Sequence, residues 1–138
     1  MSGRYYNTDR EFVLTLSPGQ ARIVQKALNF YSRSFLGQVD LIHLGLGFKA
    51  SSEVAQVLKK HLLPPGLQDP GSSYGLFSTD VPNEAREAVD IHDVIRHEFW
   101  KQKPENQRSR YTVDSDTPFQ KGTYPLPKLS VIEKDPND

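Results

Sequence analysis

The sequence predicts a mainly helical α+β domain, in which three helices build the core and a small sheet forms at one edge. Apolar residues recur at helical spacing in three segments, and two short segments near the termini are rich in strand-forming residues. Prolines recur through residues 104–138, which indicates an extended tail. We therefore assign residues 1–138 to a single domain, with a strand and the helical core in 1–103 and the tail, with a candidate last strand, in 104–138.

The first strand is predicted in residues 11–16, where strand formers stop at a Ser-Pro-Gly turn. The first helix follows directly, because Ser17 is a suitable N-cap, Pro18 suits the first helical position and Gln20 completes a capping box. One face of this helix is apolar and is expected to be buried. Its members are Ile23, Val24, Ala27, Leu28, Tyr31 and Phe35.

The second helix is predicted to begin at Ser51 or Ser52, with Glu53 placed favourably in its first turn. The Pro-Pro-Gly sequence at residues 64–66 ends it. Its positions at helical spacing are Val54, Val57, Leu58, His61 and Leu62. We expect this face to pack on the third helix.

The third helix is predicted to run from Pro82 or Asn83 to about Gln102. Its inner face is formed by residues at helical spacing, namely Ala85, Ala88, Val89, His92, Ile95 and Phe99. Beyond this helix, the strand-like residues 129–132 are predicted to pair with the first strand and complete the edge sheet.

Isolated apolar side chains are spaced along the tail at Tyr111, Phe119, Tyr124 and Leu126. This spacing indicates that the tail lies across a surface, either of its own chain or of a neighbouring one. A two-stranded ribbon is only marginally stable, so the edge sheet needs a helix or a second subunit as cover. We therefore expect a homo-oligomer, either a symmetric dimer or a multiple of one.

Composition excludes several classes of protein. Seventeen basic residues balance seventeen acidic ones, so the strongly basic surface typical of nucleic-acid binding is missing. Without cysteine, the chain has no disulfides or thiolate metal sites. No apolar run approaches the roughly 18 residues of a membrane span, and the N-terminus lacks the apolar core of a signal peptide. We expect a cytoplasmic protein without a membrane partner.

Two segments, residues 31–35 and 96–100, each place an arginine among large aromatic residues. Guanidinium groups pair with phosphates, and aromatic rings stack on bases, so this combination favours a flat anionic ligand. The alternative is that both segments are ordinary solvated helix faces. The candidate ligand-binding residues are Arg33, Gln38, Arg96, Trp100, Arg110, Tyr111 and Asp114. The arginines would bind phosphate, Trp100 or Tyr111 would stack on a base, and Gln38 and Asp114 would bond base edges or ribose.

One enzymatic alternative has a named mechanism. His92-Asp93 is the pair that HD-type phosphohydrolases use on a helix to bind a metal that activates water. Such a site would also need His43 or His61 and an aspartate such as Asp114. His92 falls on the apolar face of the third helix, and no phosphate loop or nucleophile elbow is present. We therefore predict a protein that is not an enzyme and has no metal site or cofactor.

Six segments of the chain resemble a family of small, largely uncharacterised phage-encoded proteins. They are residues 12–16, 27–33 together with 37–38, 85–91, 94–97, 111–114 and 125–127, so the resemblance covers most of the chain and is least clear over 48–82. It implies the cytoplasm of a bacterial host as the setting. A phage protein of this size without catalytic motifs is similar to inhibitors of bacterial defence.

Two hypotheses follow for the function. In the first, the protein sequesters a phosphate-bearing immune signal of the cyclic nucleotide type and so blocks host defence. In the second, it inhibits a host defence enzyme by binding it directly, with its aromatic residues and proline-rich tail as the contact surface. Both account for the same residue types.

Overall fold

The computed structural model describes residues 10–39, 52–69 and 72–134. This part of the chain contains three α-helices, which are α1 (Pro18–Phe35), α2 (Ser52–Leu62) and α3 (Asn83–Gln102). A 3₁₀ turn follows α2 at Pro65–Leu67, and another follows α3 at Glu105–Gln107. None of the helices in the described residues is long and apolar enough to cross a membrane.

The predicted capping box at the start of α1 is confirmed. The Oγ of Ser17 accepts a hydrogen bond from the backbone N–H of Gln20 at 3.2 Å, and the Oε1 of Gln20 accepts one from the backbone N–H of Ser17 at 2.9 Å. The helix closes at Gly37, whose φ of 78° lies in the left-handed region that favours glycine. Local sequence therefore sets both ends of α1.

The predicted bounds of α2 and α3 are also confirmed. Helix α2 begins at Ser52 with Glu53 in its first turn, and it ends just before the prolines at 64 and 65. Helix α3 begins directly after Pro82, whose backbone is extended, and it ends at Gln102. Proline explains the boundary after α2, since its ring prevents a helix from continuing.

The expectation that the second helix packs on the third is wrong, because the principal helix packing is that of α1 on α3. The two helices run antiparallel: the Tyr31 hydroxyl lies 3.0 Å from the carboxylate of Glu84, and the Arg22 guanidinium lies 3.7 Å above the Phe99 ring. Buried apolar side chains come mainly from α3 and the residue before it, at Val81, Ala85, Ala88 and Ile95.

The predicted edge sheet is wrong: the described residues contain no strand, so the architecture is mainly helical rather than α+β. Residues 11–16 and 129–132 have no regular secondary structure. Phe12 and Val13 are 96% and 94% exposed, so no other part of the described chain packs on these two side chains. A ribbon of two strands without a packed face gains too little to form.

Residues 119–124, which we call the strap, return along α3 of the same chain. The strap lies beside the N-terminal half of α3, because Lys121 contacts Asp90 and Tyr124 contacts Glu87. The aromatic anchors expected in the tail do not hold it, since Tyr111, Phe119 and Tyr124 are all exposed. Polar side chains of α3 hold it instead.

Candidate functional site

Asp90 is the centre of the contact between α3 and the strap. Its side chain is buried, at 1% exposure, and accepts hydrogen bonds from the backbone N–H groups of Lys121 at 3.0 and 3.1 Å and of Gly122 at 2.9 Å. The ammonium group of Lys121 adds a charge 4.0 Å away. Burial of a carboxylate is favourable only when it is paired in this way, so Asp90 is a structural residue.

The same pattern continues towards the start of α3, where Asn83 and Glu87 take the next two backbone groups. The N–H of Thr123 donates to the Oδ1 of Asn83 at 3.1 Å, and the N–H of Tyr124 donates to the Oε1 of Glu87 at 2.8 Å. Asn83, Glu87 and Asp90 lie on one face of α3 at spacings of four and three residues. This face therefore binds four consecutive backbone donors.

His92 and Asp93, the pair of the enzymatic alternative, form part of this structural network. The Nδ1 of His92 lies 2.9 Å from Asp93, and Lys121 and Arg96 lie 3.1 and 3.3 Å from the same carboxylate. Burial raises the pKa of Asp93, but the hydrogen bonds from His92 and Lys121 and the charges of Arg96 and Lys121 outweigh it, so the pKa lies below its ordinary value.

The other ligands required by the enzymatic alternative lie elsewhere. His43 is outside the described residues, and His61 is an exposed residue of α2. The carboxylate of Asp114 lies 3.6 Å from the Nε of Arg96. Within the described part of the chain, no three His, Asp or Glu side chains come together in a group that could hold a metal ion.

The structure divides the seven predicted ligand-binding residues between the two ends of α3. Arg33 and Gln38 lie together at one end, where Arg33 donates to the Oε1 of Gln38 at 2.7 Å and to the Oδ1 of Asn29 at 2.9 Å. This end of α1 lies beside the first turn of α3. At 1.5 Å per residue, Arg96 and Trp100 are about 20 Å further along α3. The two groups therefore cannot contact one small ligand together.

Arg96 and Asp114 fix the loop that follows α3. The Arg96 guanidinium lies between the carboxylates of Asp93 and Asp114, at 3.3 and 3.6 Å. The backbone carbonyl of Asp114 accepts a hydrogen bond from the Nδ1 of His97 at 3.0 Å. Two carboxylates already share the charge of Arg96, so its role in this structure is to position the loop.

An open groove of about 380 Å³ lies between the C-terminal end of α3 and this loop. Its lining residues are Trp100, Glu105, Arg108, Arg110, Tyr111, Ser115 and Asp116. Three of them, Trp100, Arg110 and Tyr111, were predicted from the sequence. The other four, Glu105, Arg108, Ser115 and Asp116, were not among the predicted binding residues, because they follow α3 in a segment without a motif that identifies them.

One wall of the groove is rigid. Arg108 donates to the carbonyl of Lys101 at 2.7 Å and to that of Lys103 at 2.9 Å, so it caps the negative end of α3. Its guanidinium also lies 5.4 Å from the centre of the Trp100 ring. The indole N–H of Trp100 donates to the carbonyl of Ser109 at 2.8 Å. The face of Trp100 is therefore held in place before any ligand arrives.

Tyr111 also lines the groove, next to a turn closed by hydrogen bonds. Tyr111 has a φ of 61°, the only positive φ of a non-glycine residue in the described chain, and it is 98% exposed. The turn is closed by Ser115, whose Oγ donates to the carbonyl of Thr112 at 2.8 Å and accepts from its N–H at 3.1 Å. A left-handed conformation costs a tyrosine about 1–2 kcal/mol, and here it places a large ring in solvent.

Three charged groups of the groove remain available. The Arg110 guanidinium and the carboxylates of Glu105 and Asp116 make no hydrogen bond or ion pair within the part of the chain that the structure describes. Two aromatic side chains, one cation and two anions thus line a space of small-molecule size. Such a groove can hold a flat ligand that has both a negative group and hydrogen-bond donors.

The described chain is thus a helical protein with a small, open groove lined by aromatic and charged side chains. No family model, curated protein or solved structure matches the chain.

Proposed function

We propose that this protein is a non-catalytic binding protein that takes a phosphate-bearing small molecule of the cyclic nucleotide type into the groove at the end of α3. In the setting that the sequence resemblance implies, it is a phage protein that sequesters an immune signal and so blocks the defence of its bacterial host. The observation that carries the proposal is Arg110, an exposed cation without a partner in the described chain, which lines the same groove as Trp100 and Tyr111.

The chemistry of the groove supports this ligand class. A guanidinium forms charge-assisted hydrogen bonds with phosphate, each contributing about 1.5–3 kcal/mol, and an aromatic ring stacked on a base contributes about 1–3 kcal/mol. The volume of 380 Å³ is at the small end of the range of about 300–1,000 Å³ for ligand pockets. Ligand contacts are assigned to Trp100, Arg110 and Tyr111, whereas Arg96 and Asp114 hold the loop.

The first test is incubation of the purified protein with a panel of linear and cyclic nucleotides, followed by heat denaturation and chromatography of the released material. We expect an intact nucleotide to be recovered and to raise the melting temperature of the protein. Recovery of an altered nucleotide would show an enzyme instead. A panel in which no nucleotide raises the melting temperature would contradict the proposal.

Single substitutions then test whether the groove is the site of ligand binding. Arg110→Ala should lower affinity about tenfold or more, since it removes the charge-assisted bonds, while changing the free energy of unfolding by less than about 0.5 kcal/mol. Arg10→Ala, an exposed arginine before α1, is the matched control and should bind as the wild type does. Tyr111→Gly removes the ring and relieves the left-handed strain, so it should weaken binding without unfolding the protein.

The second candidate function, inhibition of a host defence enzyme by direct contact, is favoured by a different observation. Phe12, Val13 and Leu14 precede α1 as exposed apolar side chains, and Val131 and Ile132 are exposed near the other end of the described chain. Exposed apolar clusters of this kind are typical of protein contact surfaces. They also fit contact with a second copy of the chain, which is the expected homo-oligomer.

Light scattering and a pull-down from bacterial lysate separate these possibilities. If a host enzyme covers the apolar segments, Phe12→Asp and Val131→Asp should each reduce its capture, while Arg110→Ala should not. If a second copy covers them, the same aspartate variants should lower the molar mass of the assembly. Unchanged capture and unchanged mass in both variants would exclude these segments as contact surfaces.

A further inference from the structure

We infer that the groove selects one guanylate unit, that is, a guanine base with a single phosphate, over units that carry other bases. The inference rests on the proposed function and goes beyond it by naming the base. It follows from the two carboxylates of the groove, Glu105 and Asp116, which the binding of phosphate leaves unused.

The balance of charge limits the ligand to one phosphate inside the groove. Among the described residues that line it, Arg110 is the one cation without a protein partner, because Arg108 is bonded to the carbonyls of Lys101 and Lys103. A second phosphate in the same space would face Glu105 and Asp116 without a partner. Like charges in such proximity repel, so a second phosphate must remain outside.

The carboxylates select the base by its hydrogen-bonding edge. Guanine presents two adjacent donors, N1–H and the exocyclic amino group, which a carboxylate accepts as a bidentate pair. Adenine and cytosine each place a ring-nitrogen acceptor beside the amino group, and uracil places its single N–H between two carbonyl acceptors. These acceptors would face the negative charge of Glu105 or Asp116, so the groove disfavours all three bases.

The aromatic residues provide the remaining contacts. The Trp100 ring is held by its hydrogen bond to the carbonyl of Ser109, and the exposed Tyr111 ring lines the same groove. Stacking alone accepts any base, because every base has a flat π-face. Selection therefore depends on the carboxylates, and the strength of binding depends on the rings and on Arg110.

The guanylate unit can come from a 3′,5′-cyclic mononucleotide or from one half of a cyclic dinucleotide, because the groove is open to solvent. Isothermal titration calorimetry of the full-length protein would compare cyclic GMP, cyclic AMP, cyclic CMP and cyclic UMP, and then cyclic di-GMP and cyclic di-AMP. We expect each guanine ligand to bind about tenfold or more tightly than its adenine counterpart. Binding of cyclic di-GMP but not of cyclic GMP would identify the dinucleotide as the source.

Isosteric variants test the role of the carboxylates. Glu105→Gln and Asp116→Asn would each be compared with Asp80→Asn, an exposed carboxylate outside the groove. At least one of the two groove variants should reduce the preference for guanine over adenine to about threefold or less, while Asp80→Asn should retain it.

Three results would overturn the inference, and the first two separate it from the proposed function. Equal binding of all bases, or preference for another base, together with loss of binding in Arg110→Ala, would refute the selection of guanine and leave the proposed function intact. A guanine preference unchanged in both groove variants would refute the assigned role of the carboxylates. Failure of every ligand to bind would refute both proposals.

Discussion

The two halves of α3 differ in how they contact the chain that follows the helix. Along the N-terminal half, Asn83, Glu87 and Asp90 bind the strap, and every one of four successive backbone donors has a side-chain acceptor. Beyond the C-terminal end, Arg110 and two carboxylates line an open groove without partners in the described chain. Satisfied polar groups stabilise a fold, whereas unsatisfied ones at the surface are available to a ligand.

The largest effect on stability is expected at Asp90. Asp90→Ala removes the acceptor of the Lys121 and Gly122 N–H groups and takes away one of the two carboxylates near the ammonium of Lys121, the other being Asp93. We expect the free energy of unfolding to fall by about 3 kcal/mol, measured by urea denaturation.

Asp116→Ala is the matched variant in the groove, to be compared with Asp90→Ala at the strap. Its carboxylate has no partner in the described residues, so the free energy of unfolding should change by less than about 0.5 kcal/mol. Equal losses of unfolding free energy in Asp90→Ala and Asp116→Ala would show that the strap contact stabilises the fold no more than an exposed residue of the groove does.

A smaller loss is expected at Gly122. A Cβ at this position would overlap the Oε1 of Glu87, which is the acceptor of the Tyr124 N–H. Gly122→Ala should therefore displace Glu87 and reduce the free energy of unfolding by about 1–2 kcal/mol. Gly75→Ala is the control, because its Cβ would enter open space, and it should be neutral or slightly stabilising.

A double-mutant cycle sharpens this prediction. If displacement of Glu87 is the cause, Glu87→Ala should remove most of the additional cost of Gly122→Ala, so that the two losses are not additive. Additive losses in thermal or urea unfolding would instead indicate strain that does not involve Glu87.

The smallest effect is expected from acid titration of Asp93. Its pKa is lowered in the folded protein, so its contribution to stability is present above the ordinary pKa of an aspartate and is lost as the pH falls through the folded value. The melting temperature of the wild type should therefore fall below about pH 4. Asp93→Asn should show a shallower fall over that range, whereas Asp80→Asn should retain the full fall.

Several elements of the fold could be predicted because their signals are local. The capping box of α1 involves residues three positions apart, and the prolines after α2 and before α3 set helix boundaries by their own geometry. Local signals could not predict whether the two terminal segments pair as a sheet. Residues 11–16 and 129–132 have strand-forming composition, but a strand needs a partner, and the described structure provides none.

Which residues of α3 are buried could also be predicted only in part from the sequence. Ala85, Ala88 and Ile95 are buried as their spacing predicts, but Asp90 and Asp93 are buried too. Neither aspartate belongs to the predicted inner face, and both are buried because the strap covers that side of the helix. The periodicity of apolar residues cannot reveal a face that is covered by polar contacts.

The candidate site was predicted in part. Trp100, Arg110 and Tyr111 were identified by residue type, and all three line the groove. Arg33 and Gln38 were grouped with them because the sequence gives no distance between the ends of two packed helices. The carboxylates of Glu105 and Asp116 have no motif around them, and only the return of the chain past the end of α3 places them beside Arg110.

By itself, the sequence determined the three helices and the chemistry available in the segments that follow them, since caps, prolines and periodicity act over a few residues. The tertiary structure alone decided which helices pack and which half of α3 is covered. It also decided which charged groups remain available. These outcomes depend on contacts such as that between Asp90 and Lys121, which join residues 31 positions apart. Pairing across such distances depends on the folded path of the chain, and no local pattern specifies it.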